Sequence, residues 1–162
     1  MTARKTIAAA IAAPRRPSAD ALGLDNQLCF ALYSASLAMT KLYRPVLDPL
    51  KLTYPQYLVM LVMWECDGLS VSDLGERLSL DSGTLTPLLK RLQAAGLLRR
   101  TRSPDDERRV HLHLTAQGRT LRESAATVPP RILAASGCTP TELRDLMQQL
   151  QSLRNTLQAA AH

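Results

Sequence analysis

Apolar positions fall on helical spacing along most of this chain and on strict alternation in one short stretch. From Leu22 to about Leu50, apolar residues at Leu28, Leu32, Leu37, Leu42 and Val46 predict an amphipathic helix, which Pro45 should kink or bring to an end. Thr53-Tyr54-Pro55-Gln56 reads as a capping box, with Pro55 where a missing N–H costs nothing. The helix it opens, through about Cys66, is almost wholly apolar from Leu58 to Trp64, which predicts a central buried helix; Asp67-Gly68 stops it. Ser70-Val71-Ser72-Asp73 caps a short helix to about Leu78 that buries Val71, Leu74 and Leu78. Leu80 to Thr84 then turns the chain into a helix from Ser82 or Thr84 to Ala95. Its Leu85, Leu88, Leu89 and Leu92 share one face, while Thr86, Pro87, Lys90 and Arg91 point towards the other. Pro87 suits only the N-terminal part of that helix, where N–H groups lack partners. Two short helices joined by a tight turn make a helix-turn-helix.

Beyond Gly96, Leu97 to Thr101 reads as a strand, Ser103 to Asp106 as a turn, and Val110 to Leu114 as a strand with alternating apolar residues, together a β-hairpin wing. Thr115 caps a further helix, interrupted at Pro129-Pro130 and resuming to about Ser136, with Gly137 as its stop. Thr139-Pro140-Thr141-Glu142 starts a last helix, whose near-heptad stripe of Leu143, Leu146, Met147, Leu150, Leu153 and Leu157 needs a partner. The fold class expected is mainly α: a winged helix-turn-helix with a two-stranded β-hairpin wing, its N- and C-terminal helices forming a dimerisation domain. Residues 1–20 read as a disordered basic arm and 21–162 as one winged-helix domain. Within it, dimerisation is expected of about 21–50 and 116–162, and DNA binding of about 53–115.

Composition agrees with helices: aromatic residues make up 4% of the 162 and glycines number 7, a poor mixture for sandwiches and barrels. Lys and Arg number 20 against 14 Asp and Glu, a net charge of +6 that suits a polyanionic partner. The excess is local, because residues 90–109 hold Lys90, Arg91, Arg99, Arg100, Arg102, Arg108 and Arg109 against Asp105, Asp106 and Glu107. Cys29, Cys66 and Cys138 are widely spaced with no C-x-x-C, which points to neither a disulfide scaffold nor a zinc ribbon. Cys66, ending the buried helix beside Trp64, reads as structural. Arg4, Lys5, Arg15 and Arg16 make the first twenty residues a basic tail, a secretory leader being the alternative. No apolar run approaches the ~20 residues of a membrane helix, so the expected setting is soluble and cytoplasmic, away from membranes. His111 and His113 share a strand face without a third ligand at metal-binding spacing, and read as exposed wing residues. No phosphate loop or Ser/His/Asp constellation is visible, so neither metal, cofactor nor enzyme activity is expected.

The helix-turn-helix beside a basic hairpin is the strongest chemical signal. Small hydroxyls at Ser82, Thr84 and Thr86 can reach base edges or phosphates, Pro87 stands on the same helix, and Lys90 and Arg91 add charge. In the wing, Asp106 and Arg108 lie on one side of an extended segment, where the carboxylate can hold the guanidinium towards a minor groove. From charge alone, a solvated cluster on a hairpin explains those residues equally well.

Leu52-Thr53-Tyr54-Pro55-Gln56-Tyr57, the run from Leu80 through Asp81-Ser82-Gly83-Thr84-Leu85-Thr86-Pro87 to Lys90, and Asp106-Glu107-Arg108 resemble the MarR family of winged-helix regulators, within it the organic-hydroperoxide-sensing OhrR group of two-cysteine type. The match covers about residues 22–160. The resemblance implies a homodimeric repressor that binds a pseudo-palindromic operator in double-stranded DNA and releases it when an organic hydroperoxide oxidises an N-terminal cysteine. Cys29 matches that cysteine in position, whereas an inert core residue is the default reading of a free cysteine on an amphipathic helix. Tyr33, four residues on, shares its face; Tyr43 returns near that face but ~21 Å along the axis. The resemblance therefore has Tyr43 and Tyr54 of one subunit bonding to Cys29 of the other, which favours the thiolate. It also makes Cys138, expected to be partly exposed, the candidate for an intersubunit disulfide. Two alternatives stay open: a MarR-type regulator of a small aromatic ligand with Cys29 incidental, and a thiol peroxidase, against which the recognition helix and wing speak.

Overall fold

The computed structural model describes residues 19–102 and 109–160. The chain divides into two compact units, one ending at Met39 and one starting at Thr40. The basic arm expected over residues 1–20 lies outside the described residues up to residue 18, as does the hairpin turn 103–108.

In the first unit, Ala19–Leu22 and Leu24–Asn26 are 3-10 turns, and helix α1 (Leu28–Leu47) starts at Leu28 instead of Leu22. The cause is local: the Gln27 backbone is extended, and its side-chain amide donates to the Ala21 carbonyl at 2.7 Å and the Gly23 carbonyl at 3.3 Å. Those bonds hold the two turns in place of a helical one. Leu28 and Leu37 are 55% and 46% exposed.

The second unit contains the core. Pro45 falls in the last turn of α1, where it deprives the Lys41 carbonyl of its helical N–H, and the buried Val46 and Leu47 close the helix. A 3-10 turn at Asp48–Leu50 and a left-handed Lys51 lead into α2 (Tyr54–Glu65). There the Thr53 N–H donates to Gln56 Oε1 at 2.8 Å, as the capping box predicts. Because α2 is apolar on nearly every side, it packs as the central strut, with Val59, Met60 and Met63 fully buried. Leu74 of α3 (Val71–Leu78), Leu85, Leu89 and Leu92 of α4 (Ser82–Ala94) and Val128 share its core.

The turn between α3 and α4 requires a glycine one turn earlier. A Cβ on Gly75 would lie 2.9 Å from the Leu80 carbonyl oxygen, and the Leu80 N–H bonds back to the Gly75 carbonyl at 2.9 Å. Strands β1 (Leu98–Arg102) and β2 (Val110–Leu114) pair antiparallel, with Leu98 opposite Leu114 and Arg100 opposite Leu112. The segment before α3 adds a short third edge, through Leu112 N–H to Leu69 O at 2.8 Å and a bridge between Ser70 and His111.

Helix α5 (Ala116–Ala125) is capped by Thr115, whose hydroxyl accepts from Gly118 N–H. Pro129 and Pro130 do not interrupt a helix as expected; they occupy the first turn of a separate one, α6 (Val128–Ser136), where N–H groups have no partner to lose. Gly137 stops it in the left-handed conformation at φ 70°. Helix α7 (Pro140–Ala160) starts from the expected capping box, with Thr139 N–H on Glu142 Oε2 at 2.8 Å. None of its residues is buried, and Leu146 and Leu157 are 47% and 53% exposed. No helix of the described residues is long and apolar enough to cross a membrane.

Trp64 on α2 donates its indole N–H to the Gly118 carbonyl at 2.8 Å. This close approach leaves no room for a side chain, since a Cβ on Gly118 would meet the Leu97 carbonyl oxygen at 2.2 Å. Gly118→Ala is therefore expected to destabilise the chain by about 1–3 kcal/mol, the usual range for overpacking. Urea unfolding would register this as a lower midpoint at unchanged slope; an unaltered midpoint would show that α5 shifts freely.

Candidate nucleic-acid interface

Helix α4 divides its side chains by burial. Leu85, Leu88, Leu89 and Leu92 face the core, while Ser82, Gly83, Thr84, Thr86, Pro87, Lys90 and Arg91 are exposed. Asp81 caps the helix, accepting from Thr84 N–H at 2.8 Å and from the Thr84 hydroxyl at 2.9 Å. Those bonds hold the Asp81 carboxyl below the usual aspartate range. The Thr86 hydroxyl donates to Ser82 O at 2.7 Å. Both threonine hydroxyl protons are thus engaged within the helix, leaving lone pairs and methyl groups to face outward. Such a surface matches base amino groups and thymine methyls better than phosphate oxygens. Pro87 lies in the second turn, further in than expected, and its missing N–H leaves the Gly83 carbonyl without its helical partner.

The wing is held from below by Asp67, which the sequence marked only as a helix stop. Its carboxylate accepts from Leu114 N–H at 2.8 Å, Gly68 N–H at 3.0 Å and the Arg119 guanidinium at 2.8 Å. Partial burial alone would raise this carboxyl, but those donors, Leu114 N–H foremost, keep it below its ordinary value. His111 and His113 are half-buried, contrary to expectation, because each ring finds a polar partner: His111 Nδ1 with Gly68 O and His113 Nε2 with the Thr101 hydroxyl, both at 3.0 Å. Asp106 and Arg108 lie outside the described residues.

In the first unit, Cys29 and Tyr33 are exposed on α1. In the second, Tyr43 and Tyr54 come together, ring centroids 4.7 Å apart, with Tyr57 a further 5.9 Å from Tyr43. Burial raises the Tyr43 phenol, with smaller contributions from Tyr54 and Tyr57, and burial likewise raises Tyr54. Both remain protonated donors at neutral pH. Cys138 is half-buried after Gly137, its thiol 3.7 Å from Ser136 O. Cys66 is exposed rather than buried, because α2 ends at Glu65 and the chain turns extended at Cys66. An apolar pocket of about 200 Å³ is lined by Tyr57, Leu61, Trp64 and Arg122.

The family model of the transcriptional regulator SarA/Rot matches residues 41–124, slightly more than half of the chain. The organic hydroperoxide resistance transcriptional regulator of Bacillus subtilis is 49% identical over 138 residues, covering 85% of this chain and 94% of that protein. The chain belongs to the MarR/SarA family of winged-helix transcriptional regulators. Two solved structures of AbfR, a Staphylococcus epidermidis protein, are also similar. Reduced AbfR bound to DNA is 34% identical, covers 86% of this chain and 95% of its own, and gives a TM-score of 0.72. The disulfide form is 37% identical over 80% of this chain and 91% of its own, with a TM-score of 0.57.

Family membership and the winged helix-turn-helix agree with the expectation from the sequence. What the sequence missed within this MarR/SarA framework is the anchoring of the wing by Asp67 and the half-burial of Arg100, whose Nε and Nη2 are shielded from solvent with no hydrogen-bond partner among the described residues. The signal for Arg100 was present: alternation along β1 puts it on the side of Leu98, facing the core.

A carboxylate with a lowered pKa adds stability above its unfolded pKa of about 3.9, and that contribution is lost as pH falls through the lower folded value. Asp67→Asn should therefore destabilise the protein by about 1 kcal/mol at pH 7. The difference should vanish in strong acid, which thermal melts at pH 7 and at pH 3 or below would measure. An equal deficit at every pH would assign the loss to shape instead of charge.

Proposed function

We propose that the chain is a homodimeric repressor that binds a pseudo-palindromic operator in double-stranded DNA and releases it when an organic hydroperoxide oxidises Cys29. The observation that carries this reading is the 49% identity, across nearly the whole length, to an organic hydroperoxide resistance regulator. The exposed face of α4 supports DNA binding: Ser82, Thr84, Thr86 and Pro87 meet the major groove, Lys90 and Arg91 neutralise phosphates, and Asp106 with Arg108 at the wing tip reaches the minor groove. In this reading residues 53–115 form the DNA lobe, and 21–50 with 116–162 the dimerisation region. A second copy would cover the exposed leucines of α1 and those of α7.

Sensing follows from the thiol and the phenols. The Cys29 thiolate attacks the outer oxygen of the hydroperoxide; an S–O bond forms, the O–O bond breaks, and the alkoxide leaves as an alcohol after taking a proton. Tyr43 and Tyr54, whose hydroxyls have no partner among the described residues, would donate to the sulfur of the other subunit's Cys29, with Tyr33 lining the same face. Cys138 then attacks the sulfenic acid across the dimer, forming a disulfide and releasing water, and a thiol reductant restores both cysteines.

A gel shift with reduced protein, then with cumene hydroperoxide, then with dithiothreitol tests the reading. Wild type should bind, release and rebind. Cys29→Ser should bind and stay bound, while Tyr43→Phe and Tyr54→Phe should release more slowly. Cys138→Ser should release but form no crosslinked dimer on a non-reducing gel. Peroxide-driven release in Cys29→Ser would overturn the mechanism. The pocket beside Trp64 and Arg122 favours the second reading, a small aromatic ligand; release on adding a phenolic acid, with all thiols still reduced, would establish that one instead. On the DNA side, Lys90→Ala should flatten the fall of operator affinity with salt by about one phosphate equivalent, measured by anisotropy across a salt series. A parallel curve would remove Lys90 from the interface.

A further inference from the structure

Directly paired residues of an antiparallel hairpin share a face. The register places Arg100 opposite Leu112, between the pairs Leu98–Leu114 and Arg102–Val110. Leu112 is fully buried, and Leu98 and Leu114 nearly so. An arginine thus stands where the pattern calls for an aliphatic side chain. Its Nε and Nη2 are shielded from solvent without a hydrogen-bond partner among the described residues, whereas buried charges in folded proteins are paired.

Arg100 as a whole is only half-buried. Arg100 lines a pocket of about 310 Å³ together with Ser70, Ser72, Thr86 and Arg109. The nearby acid, Asp73, has its carboxylate occupied by Ser70, which donates from its hydroxyl at 2.7 Å and its N–H at 3.2 Å; Arg109 and His111 also lie close to Asp73. The pocket therefore carries two guanidinium groups and the Ser72 hydroxyl, since the Ser70 and Thr86 hydroxyls already donate to Asp73 and to Ser82 O. Thr86 and Ser72 are exposed, so it opens on the same surface as the polar face of α4.

We propose that this pocket receives one backbone phosphate of bound DNA, with Arg100 supplying positive charge from the floor and Arg109 and Ser72 forming the rim. The inference rests on the DNA-binding reading above and adds a contact outside the polar face of α4. A phosphate held there fixes how the recognition helix lies along the duplex and reads no bases.

The test is the salt dependence of binding by the full-length reduced protein, to its operator and to a scrambled duplex, with thermal melts as the folding control. Arg100→Gln should weaken both duplexes by the same factor, about tenfold, and flatten log affinity against log salt by about 0.9, the value for one phosphate. Ser72→Glu, which offers the pocket an internal carboxylate, should give the same flattening with a raised melting temperature. It decides the matter if Arg100→Gln fails to fold. Slopes unchanged in Ser72→Glu and in folded Arg100→Gln, with wild type still on its operator, would overturn the phosphate site and leave the DNA-binding reading intact. A loss confined to the operator would also overturn it, since a phosphate contact cannot tell the two duplexes apart. Wild type that binds neither duplex would overturn both.

Discussion

The Trp64 indole bonds to the Gly118 carbonyl, and three residues later the Asp67 carboxylate takes the Leu114 N–H and the Arg119 guanidinium. These bonds fasten the C-terminal end of the buried α2 to β2 and α5 at once. A two-stranded hairpin has little stability of its own, so the wing takes its position from this anchorage and from Leu98, Leu112 and Leu114 beneath it. Helix α4 is fixed by the same core through Leu85, Leu89 and Leu92, and by a turn that only Gly75 permits. Recognition helix and wing are thus held on one rigid frame, which is what an exposed binding face needs to meet a regular duplex.

Local chemistry made much of this legible from the sequence. Capping boxes at Thr53, Ser70 and Thr139 and the stop at Gly137 define helix ends through residues a few positions apart, and the alternation in Val110–Leu114 marks β2 without ambiguity. The misses share a different origin. Gln27 delays α1 by bonding backward to two turns, which apolar spacing cannot register. Pro129 and Pro130 mark a helix start that looks, in sequence, like a break. His111 becomes half-buried because Gly68, distant in sequence, supplies a carbonyl, and Arg100 looked like one more charge in a basic run until its pairing with Leu112 turned it inward.

The candidate thiol site was legible only as a list of residues. Tyr43 and Tyr54 do come together, and burial keeps their phenols protonated, but the proposed partner of that pair is a cysteine of a second copy. No single chain can display such a site. The exposed leucines of α1 and of α7 leave apolar surface that the proposed second copy would cover.

The most direct test of the account follows the oxidation state of Cys29 and the occupancy of the operator in the same sample. Reduced wild-type protein on operator DNA is titrated with an organic hydroperoxide, bound and free fractions are separated, and the modification of each cysteine is quantified by mass spectrometry. The account predicts reduced Cys29 throughout the bound fraction, oxidised Cys29 in the released fraction, and a released amount that follows Cys29 oxidation and reverses with dithiothreitol. Protein that leaves the operator with Cys29 still a free thiol, or stays bound with Cys29 fully oxidised, would contradict it.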